Sequence, residues 1–201
     1  KYWSKNAQTT KLATHKPANT PTSVHTQKLP TSTKFSTNKN TANFKVKILR
    51  TTKLSSYNTY TFFKLPSAWW SGVRVTKFDD FHAEVSVKQR WVNQNPFGSI
   101  FWAVQGMAAE LSTAVFLMST IKKSKKPISM LVLKNRAIFK KKAKGLVKFN
   151  CSQGNMAIIA VESAISSGEP VSVSLKSVGV DSSGETVSEF EFEWSLKNKQ
   201  I

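Results

Sequence analysis

Apolar residues change their spacing several times along the chain, and each spacing predicts a different element. Over residues 72–78, Val73 and Val75 alternate with polar positions, and over 82–91 Ala83, Val85 and Val87 do the same before Gln89 and Trp91. A period of two predicts a pair of half-buried strands, joined by a hairpin through Asp79 and Asp80. Residues 93–98, NQNPFG, are turn chemistry. From Ser99 to about Ser119 the spacing turns helical, with Ile100, Val104, Met107, Ala108, Leu111, Val115 and Met118. A helix apolar on most faces is a buried one, and Ala103, Gly106, Ala108, Ala109 and Ala114 permit close approach to a sheet. Lys122, Lys123, Lys125 and Lys126 close it, where cations suit the helix dipole. Strand patterns resume at 128–139, 145–151, 171–180 and 186–196. A helical stretch at 155–166, closed by Gly168, interrupts them, and Asp181-Ser182-Ser183-Gly184 reads as a hairpin turn. Two strands, a long buried helix, then four more strands predict an α+β domain: one antiparallel sheet wrapped around one long central helix.

The front of the chain differs. Residues 1–42 are Thr, Lys, Asn, Ser, Gln and Pro with few apolar side chains, which predicts a disordered basic tail or leader. A transit-type segment and a polyanion-binding arm are the alternatives. Residues 43–201 form the folded domain. It opens with one or two short amphipathic helices, carrying Phe44, Val46, Ile48, Leu54, Tyr57, Phe62 and Phe63 among lysines and ending before Pro66. Such helices bind membranes or partners or pack across the mouth of the domain.

The net charge of +19 suggests nucleic acid, but its distribution weakens that reading. Residues 1–78 hold 14 Lys and Arg and no acid, whereas 79–201 hold 16 against 11 acids. No Gly-rich phosphate loop, helix-turn-helix or RNA-stacking motif accompanies the charge. Cys151 is the one cysteine, so no disulfide framework or cysteine metal cluster exists. It reads as an inert strand residue, since nothing near it in sequence would activate a thiol. No uninterrupted apolar run reaches the roughly 18 residues of a membrane span. The expected setting is cytoplasmic.

Asn95-Pro96-Phe97-Gly98-Ser99-Ile100-Phe101, with Glu110 nine residues beyond Phe101, resembles a hot-dog pattern: N-x-x-G-[ST]-x-H, eight residues, then E. Lys140-Lys141-Lys142-Ala143-Lys144-Gly145, Gly168-Glu169 and the closing Glu191-Phe192-Glu193-Trp194-Ser195 fit the same group. Over residues 44–198 the chain is similar to a hot-dog family of acyl-CoA-thioesterase-like proteins known as a domain of unknown function. That family stands close to the phenylacetate-pathway-type thioesterases and has Bacteroidetes-type members.

The resemblance implies acyl-CoA hydrolysis without a cofactor, the coenzyme A thioester being the substrate, in a homodimer or dimer of dimers with its site between subunits. Glu110 is then the candidate general base. It is the one acid between Glu84 and Glu162 and lies in an apolar helix, where a carboxylate is costly unless paired or functional. Burial would raise its pKa toward a working base; pairing across a dimer interface is the plainer role. Asn95 positions water or the carbonyl, or simply forms the turn. Gly98 and Ser99 offer backbone N–H groups to the thioester oxygen, with Phe101 beside them. Phe101 stands where relatives carry His and cannot shuttle a proton. Either Glu110 suffices, or the protein holds acyl thioesters or lipid-like ligands without turnover. Lys140, Lys141 and Lys142, with Lys144, attract coenzyme A phosphates or form a solvated turn. Trp69, Trp70, Trp91, Phe97, Phe101 and Trp102 line an acyl groove or the core. His15, His25 and His82 are scattered, and no metal site is expected.

Overall fold

The structure, a computed structural model, describes residues 54–199. The polar tail of 1–42 and the front of the apolar, lysine-interleaved stretch, 43–53, lie outside them. Leu54–Lys64 form helix α1, which ends before Pro66 as expected. Pro66 does not end the helical region; it opens a second short helix, α2, Pro66–Trp70. Proline fits a helix's first position because the N–H it lacks has no partner there anyway.

β1 (Arg74–Phe78) and β2 (Ala83–Lys88) make the expected hairpin. The Asp79 carboxylate accepts from the N–H groups of Phe81 and His82 at 2.8 and 2.7 Å and holds the turn. β2 stops three residues short of Trp91, which instead opens a 3-10 turn, Trp91–Asn93. Buried Asn93 dictates that turn. Its Oδ1 accepts from Arg90 N–H at 2.7 Å, and its Nδ2 donates to the carbonyls of Lys88 and Ser71 at 2.9 and 2.8 Å.

The long helix, α3, runs Trp102–Ser124. It begins after Ser99 because residues 99–101 are still loop. Ile100 N–H bonds Ala143 O, Phe101 N–H bonds Asn93 O, and Ile100 bridges Gln94. It outlasts the apolar pattern by a lysine-bearing turn, and Lys125 stops it in the left-handed conformation at φ 57°. The remaining elements are β3 (Ile128–Phe139), β4 (Leu146–Cys151), α4 (Gly154–Ser167), β5 (Val171–Asp181) and β6 (Thr186–Asn198).

All six strands form one antiparallel sheet in the order β1-β2-β4-β5-β6-β3. The sheet wraps α3, whose Ala108, Ala109, Val115 and Leu117 are buried against it, and α4 packs on α3 and β5. Val85, Val147, Phe149, Leu175 and Leu196 fill the concave side without exposure, each fully buried side chain worth about 1.5–3 kcal/mol. α3 is long and apolar enough to pass for a membrane span, yet most of it lies inside this core. A polar seam fixes its register on the sheet. Ser112 and Ser177 bond hydroxyl to hydroxyl at 2.7 Å, Ser188 Oγ donates to Gln105 Oε1 at 2.9 Å, and Trp194 Nε1–H donates to Thr113 Oγ1 at 3.2 Å.

The two sheet edges are unlike. At β1, the Asn58 side chain of α1 bonds both outward groups of Val75, its N–H and its carbonyl, at 3.0 Å each. At β3, the side away from β6 has no strand beside it among the described residues. A bulge between Val132 and Lys134 interrupts its register, and Leu131, Leu133 and Phe139 are exposed.

Gly154, at the start of α4, has the least room for a side chain among the described glycines. A Cβ there would lie 2.1 Å from the Asp80 carbonyl oxygen and 2.8 Å from the Phe116 ring. Gly154→Ala is therefore expected to destabilise the domain by about 1–3 kcal/mol, as overpacking does. Thermal melting against wild type measures it, and an unchanged melting temperature would contradict this packing.

Candidate active site

The loop ahead of α3 is organised by Asn95. Its Oδ1 accepts from Phe97 N–H at 3.0 Å and from both the N–H and the hydroxyl of Ser99 at 3.2 Å, and its own carbonyl takes Gly98 N–H at 3.1 Å. Gly98 supplies the left-handed residue this turn requires, at φ 70°. The turn-forming role of Asn95 is thus the one the geometry displays; Nδ2 remains as the group able to reach a ligand.

The expected donors shift as a consequence. The N–H groups of Gly98 and Ser99 are both taken up by Asn95, so they cannot receive a carbonyl oxygen. The unclaimed amides lie a few residues on. Val104 and Gln105 N–H both bond Phe101 O, and Phe101 offers no side-chain cap. Trp102 and Ala103 N–H, the first two of the helix, have no partner among the described residues. They are partial positive charges at the helix's positive end.

Beside them opens a shallow cavity of about 330 Å³, lined by Asn95, Phe97, Ser99, Trp102, Gln105 and Phe139, with the lysine loop on its rim. Trp102, Phe97 and Phe139 are exposed to it as apolar walls. Sequence reading missed Gln105 and Phe139. Gln105 is buried, and its amide ties Ile100 O to Ser188 of β6, fixing the cavity floor. Phe101 is half-exposed at the helix start, edge-on to Trp102 at 5.9 Å, and does not line the cavity.

The rim lysines are not equivalent. Lys140 pairs with Glu189, while Lys141 pairs with Glu185 and, at 2.7 Å, with Asp181. The hydrogen bond from Lys141 is the main reason the Asp181 carboxyl sits well below its ordinary range. Lys142 makes no ion pair among the described residues; its Nζ reaches Phe97 O at 3.4 Å. Of the three lysines lining the cavity, Lys142 is therefore the one whose charge no acid takes up among the described residues.

Glu110 lies along α3 eight residues past Trp102, about 12 Å down the helix axis, and five residues past Gln105. It does not line that cavity. The expectation of a buried carboxylate is corrected in part: within one chain the side chain is exposed, facing away from the sheet. Partial desolvation of the carboxyl by the surrounding protein nonetheless raises its pKa. It has no hydrogen-bond or ionic partner among the described residues. Its backbone is fixed by the relay from Trp194 through Thr113, whose hydroxyl bonds Glu110 O at 2.8 Å. Glu84 shows the opposite case. Desolvation, its largest influence, pushes its pKa up, but Thr76 with Lys148 and Lys77 outweighs that and holds it below normal. One acid is held charged by its partners and the other is left without one among the described residues. The Cys151 thiol is buried and, through desolvation, its pKa is raised, which suits an inert strand residue.

The family pattern that matches residues 55–196 is described as a domain of unknown function (DUF4442). The chain belongs to this family. No curated protein matches it. Solved structures resemble it over most of their length. A Pseudomonas aeruginosa protein of unknown function, described as a probable thioesterase, superposes with a TM-score of 0.62 at 19% identity, covering 72% of this chain and 96% of that one. A Chlorobaculum tepidum protein of unknown function gives 0.63 at 10%, covering 72% and 94%. A Haemophilus influenzae thioesterase gives 0.55 at 13%, covering 75% and 94%. The fold of this DUF4442 domain is the hot-dog fold of thioesterase-like proteins.

Proposed function

We propose that this DUF4442 protein hydrolyses an acyl-CoA thioester. The observation that carries the reading is the pair of unclaimed N–H groups, Trp102 and Ala103, opening α3 beside a cavity, with an unpaired carboxylate of raised pKa on the same helix. The thioester oxygen sits against the two amides, which stabilise the negative charge that develops there. Glu110 takes a proton from water. The hydroxide attacks the carbonyl carbon, the tetrahedral intermediate collapses, and the carbon–sulfur bond breaks. The thiolate leaves with the proton that Glu110 held, and the acid is released. Trp102, Phe97 and Phe139 receive the acyl group, and Lys142 and Lys144 face the coenzyme A phosphates.

The distance between the amides and Glu110 of one chain makes this a two-chain site. In this reading the carboxylate that serves one chain's helix start is Glu110 of a second copy, paired along the open β3 edge. The family likeness supports this, as does an edge strand left with exposed Leu131 and Leu133. The neighbour from Haemophilus influenzae, described as a thioesterase, supports the reaction class. The second reading, ligand binding without turnover, is favoured by Phe101, which has no proton to give. Thiol release from short, medium and aromatic acyl-CoAs by the wild-type chain separates them. Turnover on any of them is the expected result, and none on all, with saturable binding, selects the second reading.

A further inference from the structure

The α1–α2 end of the domain bears a surface that the proposed chemistry does not use. Phe63, Trp70 and Trp91 are 71%, 71% and 85% exposed, with Tyr60, Phe62, Leu65 and Val92 exposed around them. Contacts tie the aromatic residues of α1 and α2 to one another and to two arginines. Phe62 stacks edge-on to Phe63 at 4.8 Å and to Trp69 at 5.2 Å. Arg74 lies over Trp69 at 3.4 Å, and Arg90, the residue before Trp91, donates to Trp70 O at 3.0 Å. The Arg74 guanidinium is destabilised by desolvation and then by the charge of Arg90, so the two cations lie within each other's field.

No acid answers them. Residues 60–74 and 88–92, which carry the patch, contain no Asp or Glu but hold Lys64, Arg74, Lys88 and Arg90. Glu84, on the neighbouring strand, is taken up by Thr76, Lys77 and Lys148. Neither arginine forms an ion pair among the described residues. Leaving five large apolar rings in water is costly for a protein that could have placed polar residues there. The rings here are aromatic rather than aliphatic and are interleaved with guanidinium groups. Tryptophan with arginine is the combination that settles at the boundary between lipid headgroups and acyl chains. The patch also adjoins β1, at the opposite end of the strand order from the open β3 edge, so pairing along β3 does not require it.

We propose that the α1–α2 patch, centred on Phe63, Trp70, Arg74, Arg90 and Trp91, docks this domain on the surface of an anionic lipid bilayer. The rings insert at headgroup depth and the arginines meet lipid phosphates. The inference stands independently of thioester hydrolysis.

The test uses the full 201-residue chain with vesicles of phosphatidylcholine alone and of phosphatidylcholine mixed with phosphatidylglycerol. Cosedimentation is expected with the anionic vesicles only, with quenching of tryptophan emission by brominated acyl chains. The variant Phe63→Ser, Trp70→Ser, Trp91→Ser is expected to lose cosedimentation with the anionic vesicles. Arg90→Gln is expected to weaken binding roughly fivefold, the share of one interfacial arginine. Near-UV circular dichroism checks the fold; should the triple variant misfold, Trp91→Ser alone, the most exposed of the three, decides. Equal binding by variant and wild type would place the attraction in the basic residues before 54 and overturn the proposal. So would an absence of vesicle binding, or tight binding of single-stranded polyuridylate that the same substitutions abolish while vesicle binding persists.

Discussion

Glu110→Gln is expected to lower kcat for thioester hydrolysis by roughly 10²–10⁴, the usual contribution of a positioned general base, with KM nearly unchanged. Gln keeps the size and polarity of the side chain but accepts no proton. The fold should tolerate the change, because the carboxyl has no hydrogen-bond or ionic partner among the described residues and its backbone is held by Thr113 rather than by the side chain. The pH profile gives the same proposal a second handle. A general base works deprotonated, so wild-type turnover rises with pH through the pKa of Glu110. Desolvation raises that pKa, so the rising limb should lie above the ordinary carboxylate range and vanish from the residual rate of the variant. A drop confined to KM would reassign Glu110 to binding, and an unchanged kcat would remove it from the chemistry.

The double variant Leu131→Lys, Leu133→Lys is expected to leave a folded monomer without turnover. Both side chains are exposed in the single chain, so little packing within it is lost. In a symmetric pair each substitution occurs twice. Four sites at about 1 kcal/mol or more each weaken association on the order of a thousandfold. Sedimentation velocity reads the mass, and thiol release on the same sample reads the site. A monomer that still turns over would show that one chain suffices. A variant that stays dimeric would move the interface away from β3.

Where the fold was legible in the sequence, one local rule sufficed. β3 falls on residues 128–139 as the pattern predicts, and α4 ends at Gly168, which adopts φ 72°. Boundaries drifted where a single side chain overrides its neighbours. Asn93 pulls the chain out of β2, and Asn95 together with the carbonyls of Ala143 and Asn93 keeps 99–101 out of α3. The site was legible only in part. Asn95, Gly98, Ser99 and the lysine run come together, but which amides remain free depends on who claims the others, a matter of three-dimensional pairing. Nothing near Gln105 in sequence marks it, because its partner Ser188 is 83 positions away. Lys140 and Lys141 looked equivalent to Lys142 because their acids, at 181–189, arrive from the far hairpin.

Asn58 carries a consequence for how far the sheet can extend. With a side-chain amide seated on both outward groups of Val75, no incoming strand can register along that end without first displacing α1. Fibrous growth needs an acceptor on each side of every added unit. A chain that can add a neighbour at one side alone has no third place to offer, so the proposed pairing along β3 would end with two copies rather than a filament. Asn58→Ala would reopen that side, and slow turbidity in concentrated samples would be its mark.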